Sequence, residues 1–138
     1  MDVPRGTVFV DTSFLFALTV SRDQSNPAAR SVYDAISRAR RPILTTNFVL
    51  VELHSLITNR VTAAVATRVL FQLEASDAII VRVSEEDEAH AGAILRQYTD
   101  KGFSLQDATS FAVMERMGID TALSFDKHFA QYRWTVLD

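Results

Sequence analysis

Four acidic residues stand where a folded chain does not ordinarily put them. Asp11 interrupts the apolar stretch TVFVDTSFLFALTV, residues 7–20. Glu52 is the only formally charged residue between Ile43 and Asn59, and it shares a helical face with Phe48 and Leu56. Asp107 lies in SLQDA and Asp126 in LSFDKHF. A carboxylate in apolar company needs compensation. Two carboxylates roughly 4 Å apart repel by about 4 kcal/mol at an effective dielectric of about 20. Four gathered in one cleft cannot all stay ionised without a cation or a shared proton. Hard oxygen donors suit Mg²⁺ or Mn²⁺ rather than Zn²⁺, and such ions commonly bind substrate phosphates. The chemistry that fits is phosphoryl transfer.

Each acid also has a purely structural explanation. Asp11 can cap the helix that follows it. Glu52 can be a buried acid paired with an arginine. Asp107 completes a capping box with Ser104. Asp126 can cap the turn before His128. These four explanations are independent of one another, whereas one shared site accounts for all four residues.

Convergence requires elements that bring distant segments together. Thr7–Val10 is β-branched and aromatic and reads as a strand ending at Asp11. Ser13–Val20 follows as a short helix. Asn26 and Pro27 open another, which ends before Pro42. Ile43–Thr46 reads as a second strand, and Asn47 as the cap of a helix to about Thr58. Thr62 caps a helix to about Ala75, and Ala78–Val83 reads as a third strand. Ser84 with Asp87 opens a helix to about Tyr98, and Ser104 with Asp107 opens one that Gly118 closes. Thr121–Ser124 and Trp134–Leu137 are the fourth and fifth strands. Strands alternating with helices predict an α/β fold with a parallel sheet covered on both faces. In such sheets ligands gather beyond the carboxyl ends of the strands, where Asp11 and Asp126 fall.

The 138 residues suit a single domain, and the 48% hydrophobic content excludes a disordered chain. No cysteine is present, which excludes disulfides, thiolate metal sites and cysteine nucleophiles. The apolar run around Asp11 is too short and too interrupted for a membrane span or a signal peptide, so a cytoplasmic protein is expected. Net charge is −3, but setting four site acids aside leaves 13 acidic against 14 basic residues. An acidic total therefore does not exclude a nucleic-acid substrate.

VDTS (residues 10–13), VLVEL (49–53), FSLQDATSFAVMERMGI (103–119) and LSFDKHF (123–129) together resemble the PIN domain. Within that family the chain is most similar to VapC-like toxin ribonucleases of toxin–antitoxin pairs. The resemblance covers nearly the whole chain. It implies a three-layer α/β/α sandwich around a mainly parallel five-stranded sheet, spanning residues 1–138 as one PIN-like domain. It implies an endoribonuclease that uses one or two Mg²⁺ or Mn²⁺ ions and leaves 5′-phosphate and 3′-hydroxyl ends. Asp11, Glu52 and Asp107 match the family's three central acids and Asp126 its fourth. Ser13 and Ser124 match small hydroxyl positions that hydrogen-bond a carboxylate or a water. Asp100 matches a frequently acidic position, although an exposed loop aspartate is the simpler explanation. The family also implies an RNA substrate, a cognate antitoxin and a homodimer.

The remaining candidates carry less. Lys127 can reach a phosphate or simply be solvated. Arg38, Arg40 and Arg41 can guide RNA or sit at a helix carboxyl end for its own sake. His54, His90 and His128 show no metal-ligand spacing, and a structural role is expected for His128. The competing function is an RNA- or protein-binding module on a catalytically idle PIN scaffold. A haloacid-dehalogenase-like phosphatase needs a second aspartate two residues after the first, where Ser13 stands.

Overall fold

The computed structural model describes residues 3–138. Its strands are β1 (Val8–Val10), β2 (Ile43–Thr46), β3 (Ile79–Val81), β4 (Thr121–Leu123) and β5 (Thr135–Leu137). Its helices are α1 (Thr12–Thr19), α2 (Asn26–Arg38), α3 (Asn47–Arg60), α4 (Ala63–Ala75), α5 (Glu85–Gln97), α6 (Leu105–Met117) and α7 (Lys127–Tyr132). The strands form one sheet in the order β3-β2-β1-β4-β5, with every neighbouring pair parallel. The sheet is thus wholly, not mainly, parallel.

Crossovers between parallel strands are right-handed, so the chain order fixes the layers. It steps from β1 outward to β2 and β3, with α1–α4 on one face. It then returns across β1 to β4 and β5, with α5–α7 on the other. Packing of α1 against α2 and α3, α3 against α4, and α5 against α6 agrees with this division. The reversal of strand order falls between β1 and β4, and that is where a crevice opens at the carboxyl ends of the strands.

The core explains why this sheet is held firmly. Val8, Phe9 and Val10 of β1 are all buried, as a central parallel strand covered on two faces requires. Helix α6 is buried from Asp107 to Met114, so it has no solvent stripe over that stretch. Phe111 from α6 lies 5.0 Å from the Phe129 ring and 4.6 Å from the Tyr132 ring, tying α6 to α7. Gly118 ends α6 at φ 68°, and the Ile119 N–H returns to the Met114 carbonyl at 2.9 Å. A glycine suits that left-handed position because it carries no Cβ.

Three sequence expectations change. Helix α7 has no counterpart in them, because its six residues are too few to show a periodicity. The cap of α3 is Thr46, whose hydroxyl accepts the Val49 N–H at 3.1 Å. Asn47 instead uses its side-chain oxygen to accept the Val83 N–H at 2.9 Å, clasping the end of β3. Its partner β2 ends at Thr46, opposite Val81, so β3 stops at Val81 rather than running to Val83. Among the described residues no helix is long and apolar enough to cross a membrane.

Candidate active site

The site is built from helix starts. Asp11 follows β1 and caps α1, its Oδ1 accepting the Phe14 N–H at 3.0 Å. Asp107 is the third residue of α6 and forms a reciprocal box with Ser104, at 3.0 Å in both directions. Asp126 caps α7 by accepting the His128 N–H at 2.9 Å. The capping explanations for these three acids are therefore real, and they do not compete with a shared site. Capping fixes one carboxylate oxygen and leaves the other for different work.

Two serines lock the first acid to the loop after β4. Ser13 donates to Asp11 Oδ1 at 2.8 Å and accepts the Phe125 N–H at 2.9 Å. Ser124 donates to Asp11 Oδ2 at 2.7 Å and accepts the Asp126 N–H at 2.9 Å. Each hydroxyl thus relays a main-chain amide of one segment onto a carboxylate of another.

Asp11, Glu52, Asp107 and Asp126 line one cleft of about 300 Å³, together with Ser13 and Gln106. Asp11 and Asp107 are buried, Asp126 is half-buried, and Glu52 projects from α3 as an exposed residue at the rim. Among the described residues no arginine or lysine forms an ion pair with any of the four. Electrostatics records the strain. Burial pushes the Asp11 carboxyl from 3.8 up to about 6, overriding hydrogen bonds from Phe14, Ser124 and Ser13, and the charge of Asp126 adds to the rise. Asp107 is raised as well, first by burial and then by Asp126, against the Ser104 amide and His128.

The other candidates lie elsewhere. Asp100 is exposed and sits 3.7 Å from Lys101, away from the cleft-lining residues. Lys127 is exposed at the start of α7 and is not among the cleft-lining residues. Arg41 donates to the Gly6 carbonyl at 2.8 Å, at the opposite end of the sheet from the acids.

The sequence reading missed His128. Its Nδ1 lies 2.8 Å from Asp107 Oδ2 and 3.3 Å from Asp126 Oδ1. Asp107, Asp126 and His128 each offer a ligand atom within 4.8 Å of the others. The available signal was local: a histidine two residues after an N-capping aspartate lies in the same first helical turn. Gln106 was also missed. It lines the cleft next to Asp107, and its Nε2 is buried without a hydrogen-bond partner among the described residues.

The donor set fits a divalent cation. Carboxylates that repel one another, two of them buried and none paired with an arginine or lysine among the described residues, are stabilised by added positive charge. Asp107 Oδ1 and Asp126 Oδ2 have no protein donor among the described residues, since the bonds made by these two side chains fall on the other oxygens. Oxygen donors in this number suit a hard divalent cation.

Comparisons with known proteins agree with this geometry. The profile of the PIN domain matches residues 8–134. The 23S rRNA-specific endonuclease VapC20 of Mycobacterium tuberculosis (strain H37Rv) is 32% identical over 130 residues, covering 89% of this chain and 92% of that protein. The crystal structure of Mycobacterium tuberculosis VapC20, described as a sarcin–ricin loop cleaving toxin, superposes with TM-score 0.84 and 29% identity. That match covers 93% of this chain and 96% of the other. VapBC2 from Rickettsia felis, solved with a DNA fragment from its promoter, shares the fold at TM-score 0.66 and 13% identity, over 96% of this chain and 97% of that one. With the family profile spanning β1 to β4 and all four acids, the chain belongs to the PIN-domain family.

Proposed function

We propose that this protein is a divalent-metal-dependent endoribonuclease acting as the toxin of a toxin–antitoxin pair, with residues 1–138 as one catalytic unit. The observation that carries the reading is the convergence of Asp11, Glu52, Asp107 and Asp126 on one cleft with no arginine or lysine partner among the described residues, the His128 imidazole being the basic group that touches Asp107 and Asp126. The identity to a protein named as a 23S rRNA-specific endonuclease supports RNA, and a structured ribosomal RNA loop in particular, as the substrate. The cytoplasm, where ribosomes reside, is the corresponding place of action.

Asp11, Asp107 and Asp126 would hold one or two Mg²⁺ or Mn²⁺ ions, with Glu52 completing the set or orienting the attacking water. A bound ion of this kind supplies Lewis acidity toward the phosphate and lowers the pKa of water. The chain's own residues do the rest. Ser13 and Ser124 keep both oxygens of Asp11 aimed by hydrogen bonds of 2.8 and 2.7 Å. Gln106, beside Asp107, lines the same cleft. Glu52, on the rim, would orient the attacking water or join the ligand set.

A toxin implies an antitoxin, and the proposed partners are RNA, a cognate antitoxin and a second copy of the chain. Val51 and Phe71, at 70% and 63% exposure, are large apolar side chains left in solvent and are consistent with protein partners.

The test is cleavage of a synthetic RNA hairpin carrying the sarcin–ricin loop. Cutting is expected with Mn²⁺, to stop with EDTA, and to return when Mn²⁺ is added in excess. Cleavage indifferent to EDTA ends the proposal. Tight RNA binding without any cleavage instead supports the idle-scaffold reading.

A further inference from the structure

We propose that His128 is a positioning residue that sets the Asp107–Asp126 pair in register for its cation. The inference rests on the metal-dependent reading above and adds to it a residue outside the set of acids.

The geometry is specific. The main-chain N–H of His128 takes Asp126 Oδ1 at 2.9 Å, and the ring Nδ1 takes Asp107 Oδ2 at 2.8 Å. One residue therefore grips one oxygen of each carboxylate, on two elements that are 19 positions apart in sequence at these acids. The Asp107 oxygen it takes is already held by the Ser104 N–H at 3.0 Å. Two donors on Oδ2 leave Oδ1 as the outward atom, and the hold on Asp126 Oδ1 leaves Oδ2 outward likewise. Without the ring contact, Asp107 keeps, among the described residues, only its capping bond, which does not tie its orientation to that of Asp126.

The ring itself is fixed. Phe103 lies edge-on to it, with centroids 5.5 Å apart at 79°, and Phe103 is in turn packed against Phe111 at 5.2 Å. A histidine serving only to fill space beside Phe103 has no need to aim a nitrogen at a buried carboxylate. A neutral imidazole donating from Nδ1 leaves Nε2 bare, so the arrangement also selects a tautomer. Residues that orient metal-binding side chains in this way typically change affinity or activity by about 10- to 100-fold when removed.

The experiment compares wild type, His128→Ala and His128→Asn. Asparagine places an amide nitrogen close to where Nδ1 stands, so it can restore the bond to Asp107. Mn²⁺ affinity, read from the electron spin resonance of free ion, is expected to fall about tenfold in His128→Ala and to recover most of the way in His128→Asn. RNA cleavage is expected to follow the same order. Nitrogen-15 spectra of the metal-free wild type, at mildly alkaline pH, should show the Nδ1–H tautomer, a reading that needs no variant to fold. Spin-echo spectra of bound Mn²⁺ should show no directly coordinated imidazole nitrogen. Equal Mn²⁺ affinity in wild type and His128→Ala overturns the role of His128. So does an asparagine variant no better than alanine at equal folded fraction, an Nε2–H tautomer, or a nitrogen bound directly to Mn²⁺. A wild type that neither binds Mn²⁺ nor cleaves RNA overturns the metal-dependent reading itself.

Discussion

Asp11→Asn is expected to lower RNA cleavage roughly a thousandfold while making the metal-free protein more stable at neutral pH. The two effects have one cause. Asp11 is buried, and burial lifts its carboxyl from 3.8 to about 6 against three hydrogen bonds that favour the charged form. A folded-state value above the unfolded one means that folding prefers the protonated acid. The associated stability is complete below the ordinary carboxylate value, shrinks as pH rises through it, and is gone above about 6. A gap of about two units corresponds to roughly 3 kcal/mol at pH 7. Asparagine is neutral throughout. Its oxygen can keep the Phe14 amide, and its amide can face the Ser124 hydroxyl, which has the Asp126 carbonyl within 3.4 Å as an alternative acceptor. In EDTA, wild type should therefore lose stability between about pH 4 and pH 7 while the variant stays level. Saturating Mn²⁺ should narrow or reverse the difference, because only the wild type gains from the ion. Urea denaturation across that pH range, alongside cleavage assays, measures both halves. A variant that still cleaves, or a stability gap that ignores pH, would falsify this account of Asp11.

The second large effect lies outside the cleft. Arg116 near the end of α6 grips Asp87 in the first turn of α5 through two bonds, Nε to Oδ1 at 2.8 Å and a terminal nitrogen to Oδ2 at 2.7 Å. It also donates to the Arg82 carbonyl at 3.3 Å, just past β3. One side chain thus joins two helices and a strand exit on the α5–α6 face. The Asp87 side chain is 3% exposed, so Arg116→Ala leaves an almost dry carboxylate holding only its Ser84 bond. Breaking fully buried pairs costs about 3–5 kcal/mol. Arg116 is 38% exposed, and water screens part of its loss, so about 2–3 kcal/mol is expected here. Burial pushes Asp87 up, but the Arg116 and Ser84 bonds outweigh it, and the carboxyl titrates below 3.8. A lowered acid gives stability that is present above its ordinary value and lost as pH falls through its folded one. Wild type should accordingly weaken below about pH 4, and Arg116→Ala should lack much of that acid limb. Calorimetry over the acid range shows it directly. An unchanged melting point in the variant would mean that the contact contributes nothing.

Legibility from sequence followed the range of the interactions. Helices with a capping serine and an acid three residues on, as at Ser84 and Ser104, were readable because both partners sit in one turn. Four of the strands came from β-branched runs, and the parallel order from their alternation with helices. Asp11 was conspicuous because charge among apolar residues is rare. What stayed hidden was pairing across long separations. Nothing near Asp87 announces Arg116, and nothing near Asn47 announces Val83. His128 was set aside because its neighbours in sequence include no second histidine or cysteine, whereas its partner in space is Asp107, on a different helix. Helix α7 was too short to display a period, so the residue it aims at the cleft was invisible with it.

The three capping acids have a consequence for what the cleft presents to a polyanion. Because Asp11, Asp107 and Asp126 each stand at or just inside the start of a helix, the amino-terminal ends of α1, α6 and the shorter α7 all open toward the same space. Backbone dipoles there contribute partial positive charge of the order of half a unit per helix end. The field at the mouth is therefore milder than a tally of carboxylates suggests. A phosphate can approach a place that its side chains alone would forbid.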